Sequence, residues 1–353
     1  MNVADNHSLP ESVLRLTHHF PGLWDELRGA RLFVTGGTGF VGVWLLETLA
    51  LADARHALDL RWGVLTRNVH AAAARLPALA ARPGMRFVAG DVRDFAFPNG
   101  HYSHILHLAA VTAQATYNGA DPLEQFDIAY QGTRRVLTFA AHCGACRLLM
   151  TSSGSVYGAP EHGMAHTPES YMGAPKPDDL EAAPEHGKRA AEFLVAYHRR
   201  RCGLGTAVAR CFSFIGPGLP LDIHYAVGNF IRDALWGEAV VVKGDGSPVR
   251  SYLDIGDWLV WLLIMLTRAP SGSVYNVGSD IGVTILELAT RVRDLLAPDK
   301  PILVLGVDTE KGNRNVYVPD ISRARKELQL DVWTPLDASI LSTAEFALAT
   351  CDH

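Results

Sequence analysis

The chain has 353 residues, 48% hydrophobic and 20% charged. That balance excludes disorder as its main character and predicts one large α/β domain with an appendage, or two domains. With 32 Lys and Arg against 37 Asp and Glu, the net charge is −5 and no basic block stands out, which argues against nucleic acid as the main partner. The longest apolar run, Trp258–Leu266, is too short to span a membrane, and Met1–Leu9 lacks the basic-then-apolar order of a secretory signal. An odd count of five cysteines fits a reduced, cytoplasmic setting.

Residues 8–30 form an arm with Val13, Leu16, Phe20, Leu23, Trp24 and Leu27 at roughly helical spacing, broken by Pro21. It is expected to pack against the main domain, a dimer contact being the alternative. Strands are then predicted at Arg31–Thr35, Arg61–Thr66, Arg86–Ala89, His104–Leu108, Arg147–Ser152, Thr206–Arg210 and Ser273–Val277. Helices are predicted between them at Phe40–Ala52, Val69–Ala81, Leu123–His142 and Lys188–Arg201. Most of these strand runs are apolar throughout, as strands buried on both faces must be, so the alternation predicts an α/β fold with a doubly wound parallel Rossmann sheet. After Cys211 the pattern changes to Gly216-Pro217-Gly218 and Pro220, a helix at Asn229–Trp236, Val240–Val242 and the turn Gly244-Asp245-Gly246. The expected domains are the arm (1–30), a dinucleotide-binding domain (31–212, completed near 250–278) and a smaller C-terminal substrate-binding lobe (213–353).

The first strand runs into Gly36-Gly37-Thr38-Gly39-Phe40-Val41-Gly42 and a helix. Glycines there allow a tight turn, a close backbone approach to a pyrophosphate and a helix N-terminus offering free N–H groups. With Gly90-Asp91-Val92, His107-Leu108-Ala109-Ala110, Gly132-Thr133, Ser152–Gly158, Gly187–Glu192, Gly216-Pro217-Gly218, Gly244–Ser247 with Arg250, and Asn276-Val277-Gly278, the chain resembles the extended short-chain dehydrogenase/reductases. These are the NAD-dependent epimerase/dehydratases of nucleotide sugars. The resemblance implies cofactor contacts at Gly36, Gly39, Phe40, Val41, Gly42, Asp91, Val92, Leu108, Ala109, Ala110 and Lys188. The second strand ends Leu65-Thr66-Arg67-Asn68, with no carboxylate for the ribose hydroxyls, and Arg67 would meet a 2′-phosphate or stack on adenine. NAD and NADP both remain open.

The family's chemistry rests on a Ser or Thr, a Tyr, and a Lys four residues after that Tyr. One helical turn puts Tyr and Lys on one face, where the Lys charge and the oxidised nicotinamide lower the phenol's pKa. Ser153 and Lys188 match two of the three positions. The third is Pro184, which has no proton to give. On an ideal helix Glu185 and His186 point about 100° and 200° away from it. His186, or Tyr171 carried by the Pro-rich stretch 167–184, is expected to take over the proton transfer. Gly154 and Ser155 stand where dehydratases carry an Asp-Glu pair and decarboxylases a Glu, which leaves an epimerase or ketoreductase pattern. Ser153, Ser213, Arg250 and Arg314 are the expected substrate contacts, guanidinium forks suiting a diphosphate.

Cys143 and Cys146 lack the second pair that a zinc site needs, and His104 and His107, three apart on a strand, face opposite ways, so no metal is expected. The expected function is that of an NAD(P)-dependent epimerase or related oxidoreductase of a nucleotide-activated sugar. The alternatives are a silent NAD(P)- and sugar-nucleotide-binding protein, or a reductase or isomerase of a substrate without a nucleotide. The resemblance also implies a homodimer formed through Leu123–His142 and Lys188–Arg201.

Overall fold

The structure is a computed structural model that describes residues 9–111, 113–223, 225–306 and 315–351. Its centre is a seven-stranded sheet in which every neighbouring pair runs parallel. The strands are β1 (Arg31–Thr35), β2 (Arg61–Thr66), β3 (Met85–Ala89), β4 (His104–His107), β5 (Arg147–Ser153), β6 (Gly205–Cys211) and a seventh, Ser273–Val277. The spatial order is β3-β2-β1-β4-β5-β6-seventh. The order reverses between β1 and β4, and a crevice opens there at the carboxyl ends of the strands, where this fold class binds its ligands.

Alternation along β1 shows why the strands are apolar on both sides. Leu32 and Val34 enter one core with Leu45, Leu46 and Leu49 of the Phe40–His56 helix. Phe33 enters the other with Val136 and Phe139 of the Pro122–Cys143 helix and Val195 of the Ala183–Cys202 helix. The arm joins the first core: Leu9–Leu16 packs on the Phe40–His56 and Ile255–Arg268 helices. Val13, Leu23 and Leu27 are at most 1% exposed, each such burial being worth about 2 kcal/mol. The arm's apolar face is therefore spent within the chain and leaves little for a partner.

Two predicted helices differ from what forms. The Val69–Ala81 stretch is two pieces, Val69–Arg75 and Pro77–Ala80, because Pro77 offers no N–H and Leu76 leaves the helical region (φ −125°, ψ 58°). The helix carrying Lys188 begins at Ala183, five residues earlier than its apolar pattern, with Pro184 inside its first turn, where a missing N–H costs nothing.

Beyond β6 the lobe's core gathers Ile215, Val227, Phe230, Ile231, Leu288, Val292 and Ile340. Very short strands tie it together. Phe214–Ile215 pairs with Leu253–Asp254, and Val240–Val242 with Ile302–Val304. Val249–Arg250 lies between Val283–Thr284 and Val316–Tyr317, in a register that sets Tyr317 opposite Arg250.

Candidate active site

The glycine loop fills the crevice between β1 and β4. Gly36 has φ +73°, and a Cβ on it would lie 2.7 Å from the Ala109 amide nitrogen. A Cβ on Gly42 would lie 2.3 Å from the Gly36 carbonyl oxygen, so the helix start is pressed onto the turn. Gly39 caps that helix without a side-chain bond, and the first i→i−4 bond runs from the Val43 N–H to the Gly39 carbonyl. The N–H groups of Phe40, Val41 and Gly42 thus precede the ladder, as a pyrophosphate cradle requires. Phe40 stacks on Phe214 (6.0 Å between centroids), joining the loop to the lobe.

Around it, the Ala109 N–H donates to Thr35 Oγ1 (3.2 Å), Leu108 is half-buried and Ala110 exposed. Asp91 accepts from the Arg93 amide and guanidinium (Nε to Oδ1, 2.8 Å), and that contact holds its carboxyl below the usual range. Val92 is buried, its side chain against Gly132. Arg67 is exposed at the end of β2, and Arg75 donates to the Thr38 carbonyl of the glycine loop itself. The cradle and its surrounding residues fit a nicotinamide dinucleotide.

Ser153 ends β5, its Oγ 2.6 Å from Ser155 Oγ. Lys188, 8% exposed, donates from Nζ to the Thr151 carbonyl (2.6 Å), and burial pulls its amine down to about 8. Beneath them the buried His107 meets Thr35 Oγ1 at 2.7 Å and Thr133 Oγ1 at 3.0 Å, and burial pushes it down to about 3, so the ring is neutral. Gly154 is forced to be small: a Cβ would lie 2.6 Å from the Phe212 ring.

The two residues expected to replace the missing phenol are held elsewhere. His186 Nε2 lies 3.0 Å from the Lys176 carbonyl, and the Tyr171 hydroxyl donates to the Ala159 carbonyl (3.1 Å). Neither makes a hydrogen bond to Ser153 or Lys188. Two other groups bear on the same region. One Glu185 oxygen, Oε2, is buried with no hydrogen-bond partner among the described residues. The Tyr317 hydroxyl donates to the Cys211 carbonyl (3.5 Å), and Cys211 is the direct partner of Ser153 across β5 and β6.

Arg250 donates to the Val249 and Asn315 carbonyls (2.9 Å each) and stands over the Tyr317 ring (5.9 Å). It has no carboxylate partner among the described residues, and burial lowers its pKa. Ser213 is half-buried beside β6, its carbonyl accepting from the Leu253 N–H (3.1 Å). Arg314 lies outside the described residues. No cluster of potential metal ligands occurs among the described residues, Cys143 being buried and Cys146 exposed, and no described helix is long and apolar enough to cross a membrane.

A doubly wound sheet with a glycine cradle at its switch point, and a Ser and a Lys at the end of β5, defines a nicotinamide-dependent short-chain oxidoreductase. The family model "NAD dependent epimerase/dehydratase family" matches residues 32–278, and the chain belongs to that family. It is an NAD(P)-dependent enzyme of the epimerase/dehydratase type. UDP-glucuronic acid decarboxylase 6 of Arabidopsis thaliana is 30% identical over 306 residues, 86% of this chain and 84% of that protein. UDP-glucuronic acid decarboxylase 1 of Danio rerio is 29% identical over 348 residues, 97% of this chain and 79% of the relative. Among solved structures, the UDP-glucuronic acid 4-epimerase of Bacillus cereus, in complex with UDP-glucuronic acid and NAD, shares the fold with a TM-score of 0.75. It is 19% identical, and the match covers 91% of this chain and 99% of that one.

Proposed function

We propose that this enzyme oxidises a ring hydroxyl of a nucleoside-diphosphate sugar and reduces it again, as a 4-epimerase or a related oxidoreductase does. The observation that carries the reading is the convergence of Ser153, the buried Lys188 ammonium and the carboxylate-free Arg250 around the dinucleotide crevice. Ser153 would orient the sugar hydroxyl, Lys188 would hold the nicotinamide ribose and lower the pKa of the acid/base group, and Arg250 would grip the diphosphate. The bound dinucleotide supplies the two-electron redox chemistry.

The relatives that carry the name decarboxylase do not extend that reaction to this chain. Gly154 and Ser155 offer no carboxylate for elimination, and the Phe212 ring leaves no room for a larger side chain at 154. Pro184 favours a second reading, a protein that binds dinucleotide and nucleotide sugar without turnover. Purified protein with NAD(P) and a panel of nucleoside-diphosphate sugars separates the two. Oxidation changes the nicotinamide absorbance, whereas the silent reading gives binding by calorimetry and no absorbance change. Absence of binding by every nucleotide sugar sinks both. Arg250→Ala is expected to raise KM by about 10–100-fold, the loss of one or two charge-assisted hydrogen bonds, and to change kcat less.

The dinucleotide's 2′ position faces Arg67 in this reading, with no carboxylate to repel a phosphate. Arg67→Asp is expected to shift the NADP-to-NAD affinity ratio towards NAD by at least tenfold, about 1.4 kcal/mol, measured by calorimetry. An unchanged ratio removes Arg67 from the site. We also propose a homodimer, supported by Leu123 (68% exposed), Phe193 (69%) and Tyr197 (47%) on the two helices of the expected bundle, and a cytoplasmic location.

A further inference from the structure

We propose that Tyr317, brought in on a two-residue strand of the lobe, is the acid/base group that stands in for the phenol missing at position 184. The inference rests on the oxidoreductase reading above. Its geometry follows from two registers. Ser153 and Cys211 are direct partners across β5 and β6, and the Tyr317 hydroxyl donates to the Cys211 carbonyl (3.5 Å). Tyr317 is itself the partner of Arg250, and its ring lies on Phe212 with 4.5 Å between centroids. The phenol oxygen thereby lies at the carboxyl end of β6, on the residue that pairs with Ser153.

The groups around it act on its pKa in both directions. Burial raises its pKa most, and the Glu185 carboxylate pushes the same way, whereas Ser153 and the Arg250 guanidinium lower it. Lys188 shares Cys211 as a neighbour, and burial holds that thiol neutral by pushing it up to about 12. A bound oxidised nicotinamide would add a positive charge nearby and offset part of that rise. The step itself is a proton transfer. Tyr317 must first release its own proton to solvent and act as the phenolate. The sugar O–H bond then breaks, an O–H bond forms on the phenolate oxygen, and the electron pair left on the sugar oxygen closes the C=O, while a bound oxidised dinucleotide would take the carbon's hydrogen and its two electrons. The reverse transfer returns the proton. Glu185 is a poorer choice because a carboxylate is too weak a base for a sugar hydroxyl.

Tyr317→Phe, which keeps the ring on Phe212, is expected to lower kcat at least 100-fold with KM within about threefold of wild type. Adding Pro184→Tyr to that variant restores at least tenfold of the loss. A second readout needs no turnover: ultraviolet titration of wild type against Tyr317→Phe, each with oxidised dinucleotide bound. One tyrosinate is expected to appear in wild type at a lower pH than without dinucleotide and to be missing in the variant. A kcat in Tyr317→Phe within threefold of wild type, or equal titrations, overturns the assignment, as does Glu185→Gln abolishing turnover where Tyr317→Phe does not. If wild type binds nucleotide sugar without turnover, the titration still decides the role of Tyr317. If it binds none, the oxidoreductase reading fails instead.

Discussion

Replacing Lys188 by methionine is expected to lower turnover by about 10²–10⁴-fold, the usual effect of removing a group on which proton transfer depends. The side chain is nearly enclosed, its Nζ is 2.6 Å from the Thr151 carbonyl, and no carboxylate pairs with it among the described residues, so its charge is held at a cost in stability. The same variant gives a second, independent signal in the dinucleotide-free protein. Folding lowers the amine from 10.5 to about 8. Between those pH values the unfolded chain keeps a proton that the folded chain has released, so stability rises with pH across that window. The rise approaches about 3 kcal/mol for one fully buried group, and it disappears in Lys188→Met. Denaturant unfolding of both proteins from neutral to alkaline pH measures it. Parallel curves would mean that the amine is not enclosed as described.

Gly42→Ala is expected to weaken dinucleotide binding by at least 100-fold and to destabilise the fold by about 1–3 kcal/mol. The new methyl would lie 2.3 Å from the Gly36 carbonyl oxygen and 2.5 Å from the Gly37 Cα, all backbone atoms that have no rotamer to change. The Phe40–His56 helix must then retreat from the turn, which opens the cradle and breaks its packing on β1. Gly39→Ala is the control. Its φ of −78° is ordinary, and the nearest atom to its Cβ, the Gly36 carbonyl oxygen, is 3.3 Å away. That variant should keep its stability within about 1 kcal/mol while still losing affinity, since the methyl points where a phosphate must approach. Calorimetry and thermal unfolding together separate the two cases. Equal losses of stability would refute the distinction.

The strands were legible because a parallel sheet covered on both faces writes its burial into continuous apolar runs. β1, β2 and the Ser273–Val277 strand begin and end where those runs do. Pro77 was equally plain in the chain, but the Ala-rich residues on either side carry a helical pattern across it, and the break appears only in the backbone. The cofactor loop could be read because a strand, a glycine turn and a helix are consecutive. Tyr317 could not. Its strand is two residues long and has no periodicity, and its position is fixed by pairing with Val249–Arg250, more than sixty residues earlier. Arg75 was hidden in the Ala-rich stretch for the same reason, since only the fold brings it to the Thr38 carbonyl.

The N-terminal arm has a consequence for how the chain is made. One side of its cover is the Ile255–Arg268 helix, and the Arg268 guanidinium reaches Glu26 across 242 residues of sequence. On a ribosome the arm emerges well before the helix it packs on, so Val13, Leu23 and Leu27 lack that part of their cover until the helix is made. Until that seam closes, the uncovered apolar face is a place where the nascent chain can stick to its neighbours.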